Sequence, residues 1–265
     1  MMRKVLPIVC IAIILAVPFL KMDILPVIGD PDAPAHTHTS DYYIENATTE
    51  TNAPNMVTAV IVDYRAYDTM FETTVMFLAG LGVVLVLANK PEARNRIAPR
   101  KKTRRGKAHM GEPAYQTINK EVMIPLIEPL ILIYGIYVLF HGEVSLGGGF
   151  QAGALFGMVY ILDVMVIPEH RNLINLPKER SLAIGGVGTF IYALTGILCF
   201  FGGGYFLEYA KLPIEMHELE KHSTGMLLVE IGVALCVMAT IITILNAILE
   251  RARFDDEDRK GEVRQ

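Results

Sequence analysis

The sequence predicts an all-α, polytopic membrane protein of about six transmembrane helices with both termini cytoplasmic. Three observations predict it. Hydrophobic residues make up 52% of the 265 positions. They fall in blocks of membrane-spanning length, and the charges are clumped between those blocks with a sign bias that alternates along the chain. A soluble domain would interleave polar and apolar positions instead.

A bilayer-spanning helix needs roughly 20 predominantly apolar residues. Six blocks meet or approach that length: residues 5–20, 70–88, 123–140, 150–167, 182–201 and 225–249. The first follows Met1-Met2-Arg3-Lys4 and so resembles a secretory leader, but Lys21-Met22-Asp23 closes the apolar run directly. The nearest small-x-small site, Ala33-Pro34-Ala35, lies far downstream and contains Pro, so an uncleaved helix is expected. Cys10, Cys199 and Cys236 all fall inside apolar blocks and read as small buried hydrophobes, without metal-site or disulfide spacing.

Lys and Arg resist translocation and set the orientation. With the N-terminus inside, only Lys21, Arg65, Lys211 and Lys221 of the 24 basic residues lie outside. The rest fall on inner segments, ten of them within residues 90–120. That stretch, with Arg100-Lys101-Lys102 and Arg104-Arg105, reads as a basic cytoplasmic linker, either a solvated positive-inside loop or a site for anionic lipid or a partner. Residues 21–55 carry Asp23, Asp30, Asp32, Asp41, Glu45 and Glu50 and are expected to form an external connection. His36 and His38 in that stretch are too few to make a metal site. The organisation expected is a two-helix segment (1–92), the linker (93–120), a four-helix segment (121–250) and a charged cytoplasmic tail (251–265).

Charges within apolar spans are costly, so each is a functional candidate by default. Glu128 lies in the third span between Pro125 and Pro129, where proline frees a backbone carbonyl beside the carboxylate. Glu230 interrupts the sixth span on its outer half. Asp163, near the inner end of the fourth span, is expected to snorkel toward Arg171 or the headgroups. Carboxylates staggered in depth suit a cation or proton relay, and separate structural ion pairs would look the same. At the start of the second span, Arg65, Asp68 and Glu72 are spaced to share a helix face, with Asp63 beside them. This charge cluster reads equally as a transport element or as an interface clasp. A third constellation is the short external turn from His141 to Gly153. His141 can exchange protons near neutral pH, and Gly147, Gly148 and Gly149 admit positive φ and close backbone approach. A plain tight hairpin explains the same residues.

Phe140-His141-Gly142, followed by Leu146-Gly147-Gly148-Gly149-Phe150-Gln151-Ala152-Gly153, resembles the HGH…PGGGFQGG turn of the B subunit of Mrp-type sodium/proton antiporters. Glu143 stands where that family often has a second His, Leu146 replaces Pro, and Ala152 replaces Gly. The run from Asn55 through Thr69, with Glu72, is similar to a segment near the end of the large Mrp A subunit. That segment also occurs as a small separate subunit of archaeal membrane-bound hydrogenases and sulfane reductases. The resemblance implies a natural fusion of the two pieces in a membrane arm that moves sodium ions and protons. It supports Asp68, Glu72, His141 and Glu230 as family-like polar positions. It further implies C-, D-, F- and G-like Mrp subunits as partners, a hydrogenase-like redox module in some complexes, and a plasma-membrane location. Nucleic acid is not an expected partner.

An intramembrane hydrolase is disfavoured because neither HExxH nor GxSxG occurs. The absence of clustered Cys ligands gives no sign of a redox centre bound by this chain, so no cofactor and no catalysis by the chain itself are expected. The Lys and Arg asymmetry places both termini and residues 90–120 in the cytoplasm. Single cysteines introduced there should stay unlabelled by an impermeant thiol reagent in intact cells, and labelling of the linker would overturn the topology.

Overall fold

The computed structural model describes residues 2–17, 19–20, 27–88, 123–166 and 176–263. All the regular structure among them is helical. The chain divides into two compact units, Met1–Asn46 and Ala47–Gln265. The larger unit therefore takes in parts of both expected sequence segments. The basic linker and Arg171 lie outside the described residues.

The first unit holds α1 (Met2–Ala16) and a single π turn (Ala35–Thr39) that carries His36 and His38 and leads into α2 (Ser40–Thr51). The external connection is thus partly helical. Thr37 Oγ1 bonds back to the Ala33 carbonyl and Ser40 Oγ to the Ala35 carbonyl, so side-chain hydroxyls bridge the change of helical pitch.

The second unit begins with α3 (Met56–Thr58), a π-helical turn (Ala59–Tyr64) and, after a non-helical Arg65, α4 (Ala66–Ala88). Then come α5 (Ile124–Phe140), α6 (Gly149–Val166), α7 (Lys178–Phe201) and α8 (Glu218–Val263). Five of the six expected spans are thereby helices of this unit, and the sixth is α1. By length and apolarity α4, α7 and α8 can cross a membrane, whereas α5 and α6 are shorter apolar helices. The residues expected as a charged tail continue α8 without a break to Val263.

α8 is the axis. Of its most apolar window 61% is buried, against 33% for α7 and 11% for α4, because α4, α6 and α7 all pack on it. Glycines govern how closely. Gly149, Gly153 and Gly157 stand one turn apart on α6, and a Cβ on them would strike Glu230 and Val233, Ala234 and Val237, and Ile241 of α8 in turn. On the opposite side a Cβ on Gly188 of α7 would lie 2.5 Å from the Gly232 carbonyl of α8. Such small-residue seams bring membrane helices into backbone contact, where dispersion forces act over the whole crossing. Polar side chains join the helices between these crossings: Cys236 Sγ to the Thr73 carbonyl at 3.4 Å, Ser181 to Thr243 at 2.7 Å, and Lys178 to Glu250. α5 packs mainly on α6 and leaves Leu126, Leu130 and Ile133 exposed, as α4 leaves Phe71, Leu85 and Val86. Apolar surface on this scale belongs against lipid or partner subunits.

The break at Arg65 leaves carbonyls that the helix cannot satisfy. Side-chain hydroxyls take them over: Thr69 Oγ1 donates to Ile61 O at 2.6 Å and Tyr209 Oη to Val62 O at 2.9 Å, while Tyr192 Oη donates to Ala66 O at the start of α4 at 2.8 Å. Tyr209, in a short 3-10 turn (Tyr209–Lys211) after α7, is fully buried, and burial pushes its phenol well above the usual range. Tyr209→Phe strands the Val62 carbonyl and is expected to cost about 1–3 kcal/mol, read as a lower Tm in detergent. Wild-type stability should also fall as pH rises beyond about 10, where the unfolded phenol ionises before the folded one. Y209F should show a shallower alkaline slope than the wild type.

Candidate functional site

Glu230 sits on α8, 6% exposed, and its carboxylate rests against the external turn between α5 and α6. A Cβ on Gly142 would lie 2.7 Å from Glu230 Oε2, and one on Gly148 2.7 Å from Oε1. Gly147 and Gly148 have φ of 157° and 151°, so the turn needs glycine for its backbone as well as for its clearance. Gly149 then opens α6 directly over the Glu230 carbonyl. The glycine run, which reads in sequence as a plain hairpin just as well, is a cradle for one carboxylate.

The turn is held from the other segment of the chain. Asn55 caps α3 through Val57 N, and its Nδ2 donates to Ser145 O at 2.7 Å and Gly142 O at 3.2 Å. Thr58 Oγ1 donates to the same Gly142 carbonyl at 2.6 Å, and the Asn55 amide donates to the Glu143 carbonyl at 3.0 Å. Four bonds therefore fix the cradle to the residues just before the helix break.

Two cavities meet at Glu230. One, of about 130 Å³, is lined by Thr58, Glu143, Ser223 and Thr224 among others, on the side where α8 begins. The other, of about 30 Å³, lies between the turn and the broken helix, beside Ile61, Val62, Thr69 and Gln151. The first has room for several waters and the second for about one. Among the described residues no hydrogen bond or ion pair reaches the Glu230 carboxylate, and Glu143 is the charge that acts on it. A carboxylate so enclosed needs a proton or a cation to offset its desolvation.

The other predicted residues are dispersed. Glu128 and Asp163 are both 1% exposed, on α5 and α6, apart from the Glu230 cradle. Asp163 is enclosed near the inner end of α6, and Arg171, the partner expected for it, lies outside the described residues. His141 is exposed, stacked on Tyr137 with ring centroids 4.2 Å apart, and does not line the Glu230 cavity. Arg65 pairs with Asp68 at the surface, whereas Glu72 stays exposed one turn further along α4. The expected pairing of Arg65 with Asp68 forms even though Arg65 itself precedes the helix. Asp63 turns the other way and meets His222 Nδ1 at 2.5 Å, with both side chains largely buried. Phe150 and Gln151 line the smaller cavity, and Gly153 abuts the Ala234 carbonyl.

Sequence reasoning missed Asn55, Thr58 and His222 as parts of this region. Asn55 carried a legible signal, since Asn directly before an apolar helical run is an N-cap residue. His222 precedes Glu230 by about two turns, so the pair shares a face of α8. Its match with Asp63 depends on tertiary packing that no local pattern announces.

Comparison with known proteins fits this architecture. Residues 120–243 match a domain related to the MnhB subunit of Na+/H+ antiporter, and residues 7–104 match MbhE, the E-type component of MBH. A putative antiporter subunit of Staphylococcus haemolyticus is 37% identical over 135 residues, which cover 50% of this chain and 91% of that protein. Among solved structures, a chain of the Mrp complex from a Dietzia species superposes with a TM-score of 0.61 at 26% identity, over 80% of this chain and 22% of that longer one. A chain of the membrane-bound sulfane sulfur reductase, an archaeal respiratory membrane complex, superposes with a TM-score of 0.55 at 26% identity, over 95% of this chain and 98% of that one. The protein is a multi-pass membrane protein, and it belongs to the family of subunits related to MnhB of Na+/H+ antiporters.

Proposed function

We propose that the chain is a non-catalytic transport subunit of the plasma membrane, in a multisubunit complex whose Mrp-type module couples sodium and proton movement. The observation that carries this is the Glu230 carboxylate, enclosed by a glycine cradle, without a partner among the described residues, where two cavities meet. In that position it can take a proton or a sodium ion from the outer cavity and release it toward the freed carbonyls of the broken helix. Residues 1–92 and 121–250 act as fused subunits, joined by the linker 93–120. Sodium ions and protons are its cargo, C-, D-, F- and G-like subunits its neighbours, and the chain itself holds no cofactor.

The match to nearly the whole length of a chain from a respiratory complex supports membership of a redox-driven membrane arm. The Dietzia match supports the second reading, a stand-alone antiporter. Affinity purification from native membranes separates them: hydrogenase-like subunits should co-purify in the first case and be absent in the second.

Glu230→Gln keeps side-chain volume but cannot exchange a proton or neutralise a cation. Assembly should be retained, while sodium-dependent transport per assembled complex falls about tenfold or more, equivalent to ~1.4 kcal/mol. Gly148→Ala should act in the same direction, because it adds a Cβ against Oε1 and backbone strain of roughly 1–3 kcal/mol. Normal transport per complex in both variants would leave Glu230 as scaffold only.

The chain alone should transport nothing measurable, since one short polar route beside α8 requires neighbouring subunits to complete it. Liposomes containing only this protein that exchange sodium for protons would refute that.

A further inference from the structure

The smaller of the two cavities at Glu230 holds a second polar side chain that the carboxylate alone does not explain. Gln151, an exposed residue in the first turn of α6, lines that cavity together with Ile61, Val62, Thr69 and Glu230. It takes no part in lining the larger cavity. A Cβ on Gly148 would lie 2.7 Å from Glu230 Oε1 and 3.8 Å from Gln151 Oε1, so the carboxylate and the amide border the same glycine. Among the described residues neither side chain has a hydrogen-bond or ion-pair partner.

A cation that enters a space of about 30 Å³ keeps about one of its waters. Protein oxygens must then replace the rest of its hydration shell. Thr69 Oγ1 gives its proton to the Ile61 carbonyl at 2.6 Å, so lone pairs are what that hydroxyl has left to offer. The Ile61 carbonyl retains a second lone pair, and it belongs to an interrupted helix, the kind of backbone that coordinates cations within membranes. Gln151 adds an amide oxygen. Among the described residues lining this cavity Glu230 alone is charged, and no group of three or more His, Cys, Asp or Glu side chains converges. One carboxylate balances a monovalent cation, whereas a divalent ion would leave an uncompensated charge in apolar surroundings. A proton makes no comparable demand on its neighbours, because one carboxylate oxygen holds it.

We infer that Gln151 is a specificity-determining residue of the Glu230 site. With Thr69 and the Ile61 carbonyl it completes an oxygen shell for a monovalent metal cation, a shell that the proton does not need. The inference rests on the reading of Glu230 as the exchanging carboxylate, and it locates the bound metal cation in the smaller cavity.

Sodium binding to the purified intact complex tests this, read as the rise in Tm when sodium replaces choline. Gln151→Leu removes the amide oxygen at similar volume, and a given rise in Tm should then need about tenfold more sodium than in the wild type. Gln151→Glu returns an oxygen ligand with added charge and should need no more sodium than the wild type. In transport, Gln151→Leu should raise the half-saturating sodium concentration about tenfold. The rate per assembled complex at saturating sodium should stay as in the wild type. Gln151→Ala gives the same reading where Gln151→Leu does not assemble. Unchanged sodium dependence would overturn the inference, as would a lowered maximal rate with the half-saturating concentration unmoved. Transport lost in Glu230→Gln beside normal sodium dependence in Gln151→Leu would remove the amide ligand and leave the exchanging carboxylate. Normal transport in Glu230→Gln would remove both.

Discussion

The structure depends on how closely other helices approach the backbone of α8. Gly149, Gly153 and Gly157 of α6 and Gly188 of α7 each stand where one added methyl group would collide with α8 atoms. In a bilayer no hydrophobic gain drives helices together, so close fit and its dispersion energy must do so. The same approach sets the candidate site, because Gly149 rests on the Glu230 carbonyl while Gly142 and Gly148 surround its carboxylate. Packing and site are one feature: the seam that joins α6 to α8 begins at the carboxylate.

Around that seam the chain tolerates irregular backbone by supplying donors from outside the helix. The π turn ahead of Arg65 exposes carbonyls at Ile61 and Val62, and Thr69 and Tyr209 meet them. Each carbonyl oxygen has a second lone pair, and both residues line the smaller cavity beside Glu230. A regular helix through residues 56–88 would spend those lone pairs internally. The break therefore places backbone acceptors beside a carboxylate without requiring further charged residues inside the membrane.

Much of this is legible in the residues. Six apolar blocks correspond to helices because twenty-residue apolar runs have few other physical outcomes, and Glu128 and Glu230 stand out because charge in such runs is costly. The Gly147–Gly149 run announces a special turn, and the four-residue spacing onward to Gly157 is equally visible, although its meaning emerges only against α8. What cannot be read is register between helices. Position along its own span does not say how far Asp163 is enclosed, because that depends on packing between helices. The spacing of Arg65 and Asp68 announces their ion pair but not the helix break at Arg65 itself. His222 and Asp63 lie far apart in the chain and meet only because α8 packs beside the π turn.

The hydrogen bonds from Asn55 and Thr58 to the carbonyls of Gly142, Glu143 and Ser145 run between the two family segments joined in this chain. None of them depends on the segments being covalently connected. A covalent connection between segments consequently raises their effective concentration, because it replaces a bimolecular encounter in the bilayer plane by an intramolecular one. Where related segments are made as separate chains, the same four bonds must be secured by abundance and by neighbouring proteins. In this chain the junction combines those short neutral hydrogen bonds with the apolar packing of Ala59, Val62 and Ala66 against Tyr192, Tyr209 and Val229, so connection in one chain adds to an affinity the two segments already have for each other.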